Sequence, residues 1–222
     1  MKAIVAYESI YGNTRQIAEA IAAGLESLGE VEVVSVNHGD AGAADGGDVV
    51  ILGGPTHMHG LATSMSRKQA AQAAEEEEDV SVEPGAADGP GLRKWLSQRS
   101  GDGRPAAAFD TRLDRSPVLT GAAARGVAKR LRRRGYEVIA DPESFFVEDA
   151  EGPLAGGELD RARAPATNRS SSWSARGADG PSSGLLQVAH SSSEGALLSR
   201  IVKSTGIRSP VRADGAMRDH RW

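Results

Sequence analysis

The sequence contains no cysteine. That removes any disulfide framework and any thiolate metal site, and it fits a reducing compartment, so a cytoplasmic location is expected. Aromatic residues are scarce, with three each of Phe, Trp and Tyr, which leaves the core to aliphatic side chains. Positive charge is not in excess: 26 Lys and Arg stand against 30 Asp and Glu, a net charge of −4. No global basic field points to nucleic acid as a partner. No apolar run approaches the roughly 18 residues of a membrane-spanning helix, and the opening residues lack the apolar core and cleavage site of a secretion signal. No membrane partner is expected. The 222 residues have room for one domain of about 150 residues and a further segment.

What is present is organised around residues 2–25, KAIVAYESIYGNTRQIAEAIAAGL. Ala3 to Tyr7 is an apolar run long enough for one buried strand and too short for a helix. From Thr14 the apolar residues fall at Ile17, Ala18, Ile21, Ala22 and Leu25, the spacing of an amphipathic helix. Between them lies a polar turn, Glu8 to Thr14. A helix N-terminus reached through such a turn offers unpaired N–H groups and the positive end of the helix dipole, an anion site. Ser9, Asn13 and Thr14 can add side-chain hydrogen bonds, and Gly12 lets the backbone approach closely. The turn has no Lys, so it is not a triphosphate loop of the G-x-x-x-x-G-K type. A phosphomonoester fits it better. The plain alternative is a strand-to-helix connection with a Thr cap.

Tyr7-Glu8-Ser9-Ile10-Tyr11-Gly12-Asn13-Thr14 resembles the signature of the flavodoxin family. There this turn wraps the phosphate of flavin mononucleotide (FMN). Residues 31–36 and 48–54 read as second and third strands, the latter continuous and β-branched as buried parallel strands tend to be. The third runs into Pro55-Thr56-His57-Met58-His59-Gly60, which resembles the family's second flavin loop. The resemblance implies that Thr56 bonds the ring edge, that His57 and Met58 pack beside it, and that Gly60 permits a tight turn. A simple loop is one competing reading and His57 and His59 as metal ligands another, but a two-residue His spacing with no third ligand nearby is weak, and no metal is expected.

A helix is expected over 62–78, ending in four glutamates that fray into solvent; an acidic docking patch for a basic redox partner is the alternative. Trp95 reads as a core anchor in a short helix rather than a flavin-stacking residue. Arg104 to Phe109 reads as the fourth strand, with Asp110-Thr111-Arg112 at its carboxyl end. This resembles the family's third flavin loop, in which backbone amides meet the ring and Asp110 or Arg112 tunes it by charge; the plain alternative is a turn whose Asp caps something local. Gly121 to Arg134 forms a helix whose last turns carry Lys129, Arg130, Arg132, Arg133 and Arg134, which complement its dipole, with Gly135 as its C-cap. The alternatives for this cluster are a docking surface for a pyridine-nucleotide phosphate or an acidic partner, or for nucleic acid. Residues 136–140 read as the fifth strand, 144–147 continue apolar, and a last helix starts within 154–164.

The resemblance covers residues 1–164. It implies an α/β, flavodoxin-like, doubly wound five-stranded parallel sheet in the order 2-1-3-4-5, with its ligand beyond the carboxyl ends of the strands. The last helix stops early at Ala164-Pro165. Residues 165–222 are rich in Ser, Gly and Arg, and are expected to be a disordered tail. Within them only the cluster 197–202 has the pattern of a short amphipathic helix.

The expected function is an FMN-binding electron-transfer protein whose partner is a redox protein or a small-molecule electron acceptor. The alternatives are an FMN-dependent NAD(P)H:quinone-type reductase and a cofactor-free module that keeps the fold. Two features favour the module: Tyr11, where the family often carries another residue, and a second loop with no Trp or Tyr to stack on the ring. A receiver domain of the same topology is disfavoured, because Gly53-Gly54 stands where it needs an Asp. No protein nucleophile or catalytic acid is assigned.

Overall fold

The computed structural model describes residues 1–38, 46–57, 60–75, 77, 80–164 and 196–204. The first strand, β1 (Lys2–Tyr7), is buried from Ala3 onwards. Ala3, Val5 and Tyr7 point into one core cluster, and Ile4 and Ala6 into another on the opposite face. That two-sided burial is why the strand reads as a continuous apolar run rather than an alternating one. Helix α1 (Asn13–Leu25) follows, then one 3-10 turn, then β2 (Glu30–Ser35). Strand β3 (Val49–His57) folds back antiparallel onto β4 (Gly60–Leu61).

Helix α2 (Ser64–Glu75) starts later than expected because Thr63 and Ser66 cap one another. The Ser66 N–H donates to Thr63 Oγ1 at 3.1 Å and the Thr63 N–H to Ser66 Oγ at 2.8 Å. Helix α3 (Gly91–Ser97), β5 (Pro105–Leu113), α4 (Pro117–Thr120) and α5 (Ala123–Arg133) come next. Gly135, at φ 80°, ends α5 as the sequence predicts. The Gly135 N–H donates to Arg132 O and the Tyr136 N–H to Leu131 O, both at 3.1 Å, the paired closure of a left-handed C-terminal turn.

The sheet runs β2-β1-β3-β5, parallel throughout, and β5 is joined on its far edge by β6 (Glu137–Val138) and β7 (Glu143–Val147). The expected order 2-1-3-4-5 is therefore present, with the fifth position split in two. β5 pairs with β6 at Pro105 and Ala106 and with β7 from Phe109 to Leu113, so two residues of β5 face four between the halves. Most of the fifth strand lies at 143–147, not at 136–140. This pairing also lengthens β5. Asp110, Thr111 and Arg112 are strand residues paired with Ser144, Phe145 and Phe146, not the loop expected there. Pro55 to His57 likewise belong to β3.

One face of the sheet is covered by α1, α6 (Glu158–Arg163) and α7 (Ala196–Ser204), the other by α3 and α5. Trp95 is 1% exposed in the second core, as an anchor would be. Gly53 has no room for a side chain: a Cβ there would lie 2.2 Å from the Phe109 ring.

Helix α7 corrects part of the expectation of a disordered tail. Helix α6 spans only six residues, and α7 covers sheet beside it. Leu197, Leu198 and Ile201 are buried in the same cluster as Ile17, Ile21, Leu25 and Phe145. Gly24 admits the approach, since a Cβ on it would lie 2.4 Å from Arg163 O and 2.8 Å from Leu198 Cδ1. The Leu197 N–H donates to Glu143 Oε2 at 3.1 Å, and Arg200 pairs with Asp141 at 2.7 Å. The rest of 165–222 lies outside the described residues.

Candidate functional site

The turn between β1 and α1 is built by its own backbone. Gly12 adopts φ 87°, a left-handed conformation that glycine takes without strain. This lets the Gly12 N–H donate back to Ser9 Oγ at 3.1 Å. No side chain caps α1, and the Gln16 N–H is bonded to Gly12 O at 3.0 Å. The amides of the first turn before Gln16 have no partner within the helix and are available to an outside acceptor. Ser9 and Thr14 are almost fully buried and Asn13 nearly so. Thr14 Oγ1 shares a hydrogen bond of 2.7 Å with Thr111 Oγ1, and Asn13 Nδ2 donates to Glu151 O at 2.8 Å.

The one cation in this turn is already spoken for. Arg15 Nε donates to Glu83 at 2.8 Å and Nη1 to Glu19 at 3.0 Å, and these bonds hold its pKa above the ordinary guanidinium value. An anion here would be held by neutral amides and hydroxyls rather than by a free positive charge.

Behind the turn lies a buried ion pair to which the sequence reading assigned no role. Glu8 and Arg67 are 0% and 3% exposed, with 3.4 Å between Oε1 and Nη1. Glu8 Oε2 accepts the Leu92 N–H at 2.7 Å, while Arg67 donates to Ala86 O and Gly89 O at 3.0 and 2.7 Å. Burial raises the Glu8 carboxyl pKa, and the Leu92 N–H and Arg67 only partly oppose this. The pair fastens residues 86–92 to the end of β1. The Glu83 N–H, bonded to Ile10 O at 2.8 Å, continues the fastening to the turn itself.

The turn opens into a cleft of about 310 Å³ at the carboxyl edge of the sheet. Ser9, Ile10, Tyr11, Asn13, Thr14, Pro55, Thr56, His57, Thr111 and Arg112 line it, so three separate segments meet at one place. Of the other expected site residues, Gly12 shapes the turn and Gly60 sits in β4. Met58, and His59 with it, lie outside the described residues. The sequence reading missed Leu113, Thr120, Val147 and Ala150, which complete the wall. Val147 ends β7, and Ala150 lies in the segment that follows it.

Tyr11 reaches across the cleft edge to donate its hydroxyl to Ala70 O at 3.1 Å, and burial, then Glu151 and Glu77, raise its phenol pKa. His57 has its pKa lowered by burial, so its imidazole is neutral at pH 7. Arg112 is 8% exposed and anchored by its own strand end, donating from Nη1 to Leu113 O at 3.0 Å and Arg115 O at 2.6 Å. Its guanidinium lies 4.9 Å from the Phe146 ring centroid. Its buried Nε has no hydrogen-bond partner among the described residues.

Asp110 requires a correction. It is absent from the cleft wall and is 0% exposed beneath it. Its Oδ2 accepts the Thr56 hydroxyl at 2.9 Å and the Ala124 N–H at 2.8 Å, and Thr56 Oγ1 accepts the Ala123 N–H at 2.8 Å. These two side chains together cap α5, whose preceding residue Ala122 has no side chain for the task. Thr56 therefore spends its only hydroxyl proton on Asp110 and has none to give a ligand.

Residues 4–77 match a family model described as a flavodoxin domain, a stretch that contains the β1–α1 turn and Pro55 to Gly60. Over that third of its length the chain is similar to a flavodoxin domain. Among solved structures, a flavodoxin from the domain Archaea is 21% identical to this chain over 73% of it and 92% of that protein, with a TM-score of 0.49. Oxidised flavodoxin 2 from Bacillus cereus is 22% identical over 73% and 93%, with a TM-score of 0.48. A WrbA-like flavodoxin from Agrobacterium tumefaciens is 20% identical over 73% and 90%, with a TM-score of 0.43. No curated protein matches the sequence. No described helix is long and apolar enough to cross a membrane.

Proposed function

We propose that this flavodoxin-like chain binds FMN and passes electrons. The observation that carries the reading is the β1–α1 turn: uncapped amides and buried hydroxyls of Ser9 and Thr14 open into a cleft at the sheet's carboxyl edge. The residues suit the group. A phosphomonoester supplies the acceptors that the first-turn amides of α1 lack, and Arg112 Nε is a buried donor that an acceptor on a ring edge would satisfy. Pro55, Thr56 and His57 on one side and Thr111 and Arg112 on the other would border the isoalloxazine ring. Bound FMN supplies the electron-carrying chemistry, and the protein orients the ring and limits its contact with water. With Thr56 committed to Asp110, ring-edge bonds fall to backbone groups and to Arg112.

The test is titration of the full chain with FMN and with riboflavin, followed by flavin fluorescence. FMN is expected to bind more tightly by at least about tenfold, the share of affinity carried by the phosphate. A chain that ignores FMN at millimolar excess overturns the proposal. Steady-state oxidation of NADH or NADPH separates carrier from reductase: turnover no faster than free FMN supports gives the carrier.

A further inference from the structure

Helices α3 and α5 lie on one face of the sheet, and their outer surfaces carry Arg93, Arg125, Lys129, Arg130 and Arg133. Arg125, Lys129 and Arg133 are exposed at successive i, i+4 positions, a stripe about 12 Å long. Among the described residues none of the five forms an ion pair. Where bonded, they meet neutral carbonyls: Arg93 donates to Leu61 O and Ala62 O at 2.7 and 3.1 Å, and Arg130 to Gly126 O at 3.1 Å. Arg93 and Arg133 stand close enough to Arg130 to help burial depress its pKa.

Helix stability does not account for this arrangement. Cations in the last turn of α5 complement its dipole, but Arg93 and Arg125 sit in the first turns of α3 and α5, where the dipole opposes them. Like charges at i, i+4 repel one another as well. One end of the face touches the cleft, and the stripe runs from there to the amino edge of the sheet, where the Gly101 N–H meets Arg134 O. Arg93 grips β4, which pairs with Thr56 and His57, and α5 begins at the cap formed by Thr56 and Asp110.

We propose that the α3–α5 face is the docking surface for an acidic protein, whose acidic patch lies along the stripe with one end, at Arg93 and Arg125, next to the cleft. Because the cleft is read as a flavin site, the partner is an acidic electron-transfer protein, and this proposal rests on that reading. A bounded protein patch fits better than an extended polyanion. The other flank carries the carboxylates of Glu77 and Glu151, which act on Tyr11. A nucleic acid or an anionic bilayer laid across the mouth would meet those carboxylates.

The experiment measures binding of the full chain to an immobilised plant-type ferredoxin, an acidic carrier, and to cytochrome c, a basic one. Ferredoxin is expected to bind more tightly at about 20 mM salt and to weaken by about tenfold or more at about 300 mM. The triple variant R93Q/K129Q/R133Q is expected to lose a similar factor, while Glu151→Gln loses none. Ferredoxin binding that the triple variant retains, or stronger binding to cytochrome c, overturns the proposal. So does equally tight, R93Q/K129Q/R133Q-sensitive binding to duplex DNA or to phosphatidylserine vesicles. The readout is independent of flavin. A chain that binds ferredoxin but not FMN sinks the cofactor reading alone, and one that binds FMN but not ferredoxin sinks the surface alone.

Discussion

The Thr56 hydroxyl stands between Asp110 Oδ2, at 2.9 Å, and the Ala123 N–H, at 2.8 Å. A cleft residue on β3, a buried acid on β5 and the N-terminus of α5 are thereby locked together. Asp110→Ala leaves the Thr56 hydroxyl and the Ala124 N–H without their acceptor inside the fold. Expected cost is about 1–3 kcal/mol in urea unfolding, the penalty for stranding a buried donor. Thr56→Val is expected to cost less, because Asp110 keeps Ala124. The reverse ranking would contradict the shared cap.

The same carboxylate predicts a pH dependence. Burial raises the folded-state pKa of Asp110, with the Ala124 N–H the first of the interactions opposing it. A carboxyl with a raised folded pKa holds more protons folded than unfolded. Its contribution to stability is therefore full below the unfolded value of about 4 and is lost as pH rises through the folded pKa. Asp110→Asn removes this titration, so the variant's deficit relative to the native chain should shrink on going from pH about 4 to pH about 8. Urea unfolding at the two pH values checks it, and a deficit that grows with pH would refute it.

Gly12 is held at φ 87°, and a Cβ there would lie 3.2 Å from Glu83 Oε1. Gly12→Ala is expected to cost about 1–2 kcal/mol through the left-handed backbone. It should also weaken FMN more than riboflavin, because the turn faces the phosphate and not the ring. Equal weakening of both would place the phosphate elsewhere.

Glu8 and Arg67 form a buried pair whose carboxyl is not fully compensated. Arg67→Ala strands Glu8 and frees the carbonyls of Ala86 and Gly89. The expected loss is about 3–5 kcal/mol, typical of breaking a buried pair from one side. The double change Glu8→Gln, Arg67→Met should lose less than Arg67→Ala, and a thermal melt series ranks them.

Helix α7 is a short element joined to the domain through residues 165–195. Leu198→Ala removes a side chain that is 3% exposed, a change worth about 2–5 kcal/mol when the site must stay assembled. A docked helix can instead detach, so its loss is capped by the free energy of docking. The full chain carrying Leu198→Ala and a chain ending at Ala164 are therefore both expected to melt below the native protein, with the truncation setting the lower bound. A truncated chain as stable as the full one would show that α7 contributes nothing.

Near the N-terminus the site was legible because its cause is local. An apolar run, a turn and a helix period follow one another within residues 2–25, and their hydrogen bonds close over a few residues. The same holds for Gly135, whose left-handed turn is a property of the glycine and its neighbours. Legibility faded with sequence distance. Asp110 looked like a cleft residue because its neighbours Thr111 and Arg112 are; its partner Thr56 lies 54 residues away, and nothing in the pattern announces the bond. The fifth strand was placed too early because Tyr136 to Ala140 has good strand composition, while the hydrogen bonds of β5 choose Glu143 to Val147.

The sequence by itself determined the alternation of strands and helices, the polar turn at the head of α1, and the fate of Trp95 as core, because each follows from periodicity and backbone preference over one or two turns. Only the tertiary structure decided that Asp110 braces rather than lines the cleft, that Glu8 and Arg67 bury their charges together, and that Leu197, Leu198 and Ile201 come back to cover the sheet. Those outcomes depend on which distant groups are left without partners or water once the sheet has closed, a quantity that belongs to the assembled fold and to no segment of it.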